Sequence, residues 1–224
     1  QLLVNMGVFL IFLVCFASIS TVQALSTAEA QIYSPEYFPV FPVHVMNSSV
    51  FDDLIQFNDL SMWGYQSLYL YIFIRAFSIE EKNKLMDFAC TFTLAAWISF
   101  VVFFFYPTLC PRPIVEKASW TYSEFIKYEK PLNAFPSMHV SLVLTTFLFT
   151  LKDKNIGSFF KFLGGIWTLW IIFTTLQSKQ HVVIDVFGGI LVFGISVWLH
   201  KEKSPLKFLK KRWESAENPS KQIL

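Results

Sequence analysis

Six apolar runs separated by short polar turns constrain this chain more than any other feature. A helix needs about 20 mostly apolar residues to cross a bilayer, within a range of about 17–25. The runs are Leu2–Leu25, Leu60–Phe77, Phe88–Tyr106, Pro136–Leu151, Phe159–Leu176 and Val182–Leu199. Arg75 falls near the end of the second and reads as a side chain that snorkels to the interface. Charged residues make up only 15% of the 224-residue chain, against about 25% in a soluble domain. That composition excludes a disordered chain, a disulfide scaffold and an ordinary water-soluble enzyme. A closed barrel would need many short alternating segments. The pattern predicts an all-α membrane protein, a bundle of six transmembrane helices. Its parts are an N-terminal anchor over 1–25, an outer loop over 26–59, a transmembrane domain over 60–200 and a basic tail over 201–224. Val22-Gln23-Ala24 also fits a signal-peptide cleavage site, so the first run is either a retained anchor or a cleaved leader.

Lys and Arg collect on the cytoplasmic side of a membrane protein. Residues 26–59 contain neither, while the tail from Lys201 to Lys221 holds seven. Alternating the spans across the bilayer places thirteen of the 18 basic residues on one face and five on the other. The richer face reads as cytoplasmic, so the loops 26–59, 107–135 and 178–181 share the outer face. Residues 48–58 read as a short interfacial helix that presents Val50, Phe51, Leu54 and Ile55 to lipid. The basic tail suits contact with an anionic inner leaflet. The net charge of +2 gives no argument for nucleic acid. Cys15, Cys90 and Cys110 are too widely spaced for a zinc site or a disulfide framework.

Three polar islands remain, all at outer span ends. The first, Tyr106 to Pro113, sets Arg112 between two prolines; guanidinium suits forked binding of phosphate oxygens. The second runs from Pro131 to His139. There Pro136 and Ser137 suit the first turn of a helix, where unpaired N–H groups and the dipole attract an anion. His139 follows and could donate a proton. The third, Ser178 to Asp185, spaces His181 and Asp185 four apart, on one helical face. A carboxylate that fixes one imidazole nitrogen frees the other as nucleophile or base. Each island has a bland reading: a solvated Arg, a packed His, a pair that pins two helices. Together they are an inventory for phosphoryl transfer through a phosphohistidine.

These residues resemble the type 2 phosphatidic acid phosphatase (PAP2) superfamily. Its motifs are Lys-x6-Arg-Pro, Pro-Ser-x-His and Ser-Arg-x5-His-x3-Asp. Arg112-Pro113, Pro136-Ser137-Met138-His139 and His181-x3-Asp185 match in order and spacing. The first-motif Lys falls at Phe105 and the third-motif Ser-Arg at Thr174-Thr175. The motif flavour looks closest to the inositol-phosphorylceramide and sphingomyelin synthase-like branch. The resemblance implies a six-helix membrane bundle in which His181 attacks phosphorus, Asp185 orients it and His139 protonates the leaving oxygen. Arg112, Ser137 and Lys179 would hold the phosphate oxygens, and no metal or other cofactor would be needed.

The function implied is hydrolysis of a lipid phosphate, or of a lipid or polyprenyl diphosphate, at the outer face. A transferase that moves a phosphorylated headgroup between lipids is the alternative, with aromatic-rich residues 114–131 as a cover that excludes water. A transporter whose polar groups line a path is a remote third reading. Compactness points to a bacterial inner membrane with the site facing the periplasm; in a eukaryotic cell that face is lumenal or extracellular.

Overall fold

The computed structural model describes residues 44–113, 115, 117–128 and 133–203. The expected anchor over 1–25, the start of the outer loop and the tail beyond 203 lie outside the described residues. Seven helices dominate: α1 (Val50–Leu54), α2 (Met62–Ser78), α3 (Lys82–Phe105), α4 (Trp120–Tyr128), α5 (Met138–Lys152), α6 (Ser158–Gln177) and α7 (Val183–Lys203). A 3-10 turn, Asp59–Ser61, leads into α2, and two short strands, β1 (His44–Val45) and β2 (Thr108–Leu109), pair in parallel.

Among the described residues, three helices are long and apolar enough to cross a membrane: α3, α6 and α7. Helix α5 is apolar but shorter, at 15 residues. The rise of about 1.5 Å per residue makes it about 22 Å long. It packs against α2, α3, α6 and α7, so it forms the axis of the bundle. Its sequence suits that position. Ser141, Thr145, Thr146 and Thr150 are buried, and each hydroxyl donates to a carbonyl one turn back within the same helix at 2.8–3.0 Å. Small hydroxylated side chains thus satisfy themselves and let neighbouring helices come close, which is how helices hold together where lipid removes the hydrophobic drive. Larger apolar residues fill the remaining gaps: Leu68 and Ile72 of α2, Phe88 and Phe92 of α3, Leu142 and Val143 of α5, Ile171 of α6.

The outside is as apolar as the inside. Trp97, Phe104 and Phe105 of α3 are exposed, as are Phe159, Phe162 and Leu169 of α6 and Phe187, Leu191 and Trp198 of α7. Apolar exposure on this scale marks a surface that meets lipid.

Arg75 does not snorkel. It is 3% exposed, and its Nη2 donates to Asp153 Oδ2 at 2.9 Å and to the Phe149 carbonyl at 3.1 Å, while Nη1 donates to Ser78 Oγ at 2.7 Å. The reason is Asp153, which ends α5 and supplies a buried carboxylate within reach of α2. Burial opposes ionisation of Asp153, but the Asn155 N–H and the Arg75 guanidinium together hold its carboxyl below the ordinary value of 3.8. A carboxyl lowered by folding stabilises the fold above its ordinary value, and that contribution is lost as pH falls through the lower folded value.

Breaking the pair leaves a buried charge. Arg75→Met is expected to cost about 3–5 kcal/mol, and Arg75→Met with Asp153→Leu to recover most of it. Thermal unfolding in detergent checks both. Equal melting points for single and double variants would refute the coupling.

Candidate active site

The three islands meet at the end of the bundle where α5 and α7 begin. Strand β2 draws them together. His44 N–H donates to the Pro107 carbonyl at 2.9 Å and Met46 N–H to the Leu109 carbonyl at 2.8 Å, which holds β1 on one side of β2. On the other side the Ala134 N–H donates to the Thr108 carbonyl at 3.2 Å, and the Phe135 N–H to Thr108 Oγ1 at 2.7 Å. The first and second islands are therefore joined through Thr108.

The third island reaches the second through backbone and ring. The Ser137 N–H donates to the Asp185 carbonyl at 2.9 Å. Gly188 and Gly189 permit this approach. A Cβ at Gly188 would lie 2.5 Å from Phe135 Cε2, and one at Gly189 would lie 2.5 Å from the Ser137 carbonyl oxygen. Ser137 is the N-cap of α5 and lies outside its first turn, because its Oγ accepts the Val140 N–H at 3.4 Å.

His181 is 5% exposed, and its Nδ1 lies 2.9 Å from the Ala134 carbonyl. A carbonyl oxygen can only accept, so Nδ1 carries the proton and Nε2 keeps its lone pair. Asp185 is fully buried, with Oδ2 3.5 Å from the same Nδ1 and accepting the Val182 N–H at 2.9 Å. The tautomer is thus set by Ala134, with the carboxylate behind it as a negative charge.

His139 stacks on Tyr65, with centroids 3.8 Å apart, and its ring centroid lies 6.2 Å from that of His181. Its Nε2 has no hydrogen-bond partner among the described residues, and neither does Asp185 Oδ1 or Gln180 Oε1. Unsatisfied buried polar atoms are rare, and these three lie on or beside the His181 turn and α5 start, while others lie elsewhere, at Arg75 Nε, Tyr122 Oη and His200 Nδ1. Arg112 lies over the Phe125 ring at 6.0 Å, and Phe125 meets Tyr65 edge to face at 5.3 Å. A continuous line runs from Arg112 through Phe125 and Tyr65 to His139 and His181. Helix α4, which supplies Phe125, is fixed at its start by the Ser119 N–H donating to Asp59, a bond that lowers the Asp59 pKa. Burial, with Asp185 nearby, pushes the Cys110 thiol up to about 12; it stays protonated and faces the Lys179 carbonyl at 3.6 Å.

The sixth expected site residue is placed differently. The Lys179 ammonium donates to the carbonyls of Asp52 and Ile55, both at 2.7 Å. Sequence reasoning passed over Asp52, Thr108, Ala134 and Tyr65. Only Asp52 had a readable signal, the Ser49-x-x-Asp52 capping-box pattern, which closes as such in α1.

A mostly helical bundle with an apolar outer surface and two histidines and a carboxylate buried at one end is compatible with an all-α membrane protein. The chain belongs to the PAP2 superfamily, whose family model matches residues 30–199. Members of that superfamily are generally phosphatases, so the membership suggests phosphatase-type activity. Comparison with curated proteins and with solved structures found no match.

Gly189→Ala is expected to push α7 from the start of α5, lowering both the melting point and the turnover. Gly194→Ala is the control, since nothing lies within 4 Å of a Cβ there, and it should be neutral. Thermal unfolding beside an activity assay checks the pair, and equal behaviour would refute the close-approach argument.

Proposed function

We propose that the chain is an integral membrane phosphatase that hydrolyses a lipid phosphate, or a lipid or polyprenyl diphosphate, through a phosphohistidine on His181. The observation that carries this reading is the His181 ring, with Nδ1 on the Ala134 carbonyl at 2.9 Å and the buried Asp185 carboxylate behind it at 3.5 Å. That arrangement leaves Nε2 as the nucleophile. In the first step Nε2 bonds to phosphorus and the phosphorus–oxygen bond to the lipid breaks. His139 gives the leaving oxygen its proton. The ring then carries a positive charge, which Asp185 offsets at low dielectric. In the second step water attacks phosphorus, giving its proton to His139, and the nitrogen–phosphorus bond breaks to release phosphate.

Arg112 and the start of α5 at Ser137 hold the phosphate oxygens. The site lies at an end of the bundle, where a headgroup can enter while its tails stay in lipid. The basic-residue bias supports placing that end on the outer face. One observation favours transfer to a lipid hydroxyl instead of water. Tyr122 of α4 is 1% exposed and packs with Met62 and Tyr65, so α4 is a seated cover on the site.

Purified protein is expected to release phosphate from at least one lipid phosphate or diphosphate, with vanadate inhibiting. His181→Ala should abolish release, and His139→Ala should lower it by about 10²–10⁴-fold. Release that survives His181→Ala would overturn the mechanism. Product analysis with lipid-alcohol acceptors separates the two outcomes: phosphorylated acceptor in place of free phosphate would favour the transferase.

A further inference from the structure

The segment before α2 contains none of the three islands, yet it grips the third. Asp52 of α1 is 5% exposed. Its Oδ2 accepts the Ser49 N–H at 2.8 Å and the Ser49 hydroxyl at 2.6 Å. Its Oδ1 accepts the Val183 N–H at 2.7 Å. Val183 opens α7, so this N–H has no partner within its own helix, and a carboxylate there also suits the helix dipole. The Lys179 ammonium binds the Asp52 and Ile55 carbonyls, and the Asn58 N–H donates to the Gln177 carbonyl at 3.0 Å. These bonds bracket His181, at residues 177 and 179 before it and 183 after it.

The bracketed turn does not adopt this shape by local preference. Lys179 has φ of 54°, in the left-handed region that non-glycine residues rarely occupy. Such a conformation persists when its surroundings over-determine it. Here two bonds from the side chain of Lys179 and one at Val183 do so, while Val182 N–H is held by Asp185.

We propose that Asp52 and Lys179 are positioning residues: α1 is a strap that fixes the turn 178–182 and so aims the His181 ring at phosphorus. This rests on the phosphohistidine reading. Lys179 acts on protein carbonyls, and Arg112 and the start of α5 are left to bind the phosphate. Removing the strap lets the His181 ring drift while the phosphate site stays whole, so kcat suffers and KM does not.

The test uses the full chain in detergent with a lipid phosphate that the wild type turns over. Asp52→Ala is expected to lower kcat about tenfold or more with KM within about twofold. Asp52→Asn keeps an acceptor for the Val183 N–H and should recover most of the loss. Lys179→Met should resemble Asp52→Ala, and the double variant should be little worse than the worse single one, as for residues acting as a unit. Hydrogen exchange over 178–184 should quicken in Asp52→Ala while α5 and α6 stay protected. Unchanged exchange would overturn the strap, as would a Lys179→Met that only raises KM, since that is how a phosphate-binding lysine behaves. If exchange quickens but the wild type neither releases phosphate nor phosphorylates a lipid-alcohol acceptor, the tether stands and the phosphohistidine reading fails.

Discussion

The end of this protein that holds the two histidines depends on how closely α7 approaches the start of α5. The Ser137 N–H reaches the Asp185 carbonyl at 2.9 Å, and a Cβ at Gly189 would stand 2.5 Å from the Ser137 carbonyl oxygen. In lipid, tight backbone contact and interhelical hydrogen bonds replace the hydrophobic drive that packs helices in water. This contact fixes the helix bearing Asp185 against the helix bearing His139. It also sets the preceding turn beside Ala134, whose carbonyl chooses the tautomer of His181.

Most polar groups elsewhere in the bundle find a partner close by, although Arg75 Nε and His200 Nδ1 have none among the described residues. The hydroxyls of α5 turn back onto their own helix, and Arg75 is met by Asp153, Phe149 and Ser78. At the end that holds His181, His139 Nε2, Asp185 Oδ1 and Gln180 Oε1 have no hydrogen-bond partner among the described residues. These three atoms belong to the second and third islands, which is where a bound polar group would find partners.

Much of the helical fold was legible because lipid imposes long uninterrupted apolar runs, and α3, α6 and α7 fall on three of them. The islands were legible because membrane burial leaves polar residues conspicuous. Other features carried no local mark. Thr108 and Ala134 act through backbone groups, which every residue has. Arg75 and Asp153 are 78 positions apart, and nothing in either neighbourhood names the other. Lys179 was visible as a cation, but its partners are carbonyls 124 and 127 positions away, which charge alone does not name.

The sequence by itself determined that the chain is helical and apolar, which residue types can handle phosphate, and that His181 and Asp185 share a helical face. Those properties follow from composition and from spacing within one turn. Tertiary structure decided that Ala134 fixes the His181 proton, that Tyr65 stacks on His139, that Arg75 is buried, and that Asp52 and Lys179 tie α1 to the turn around His181. Each is a contact between segments remote in the chain, made through a carbonyl, a ring face or a missing Cβ, and such contacts exist only once the helices have packed.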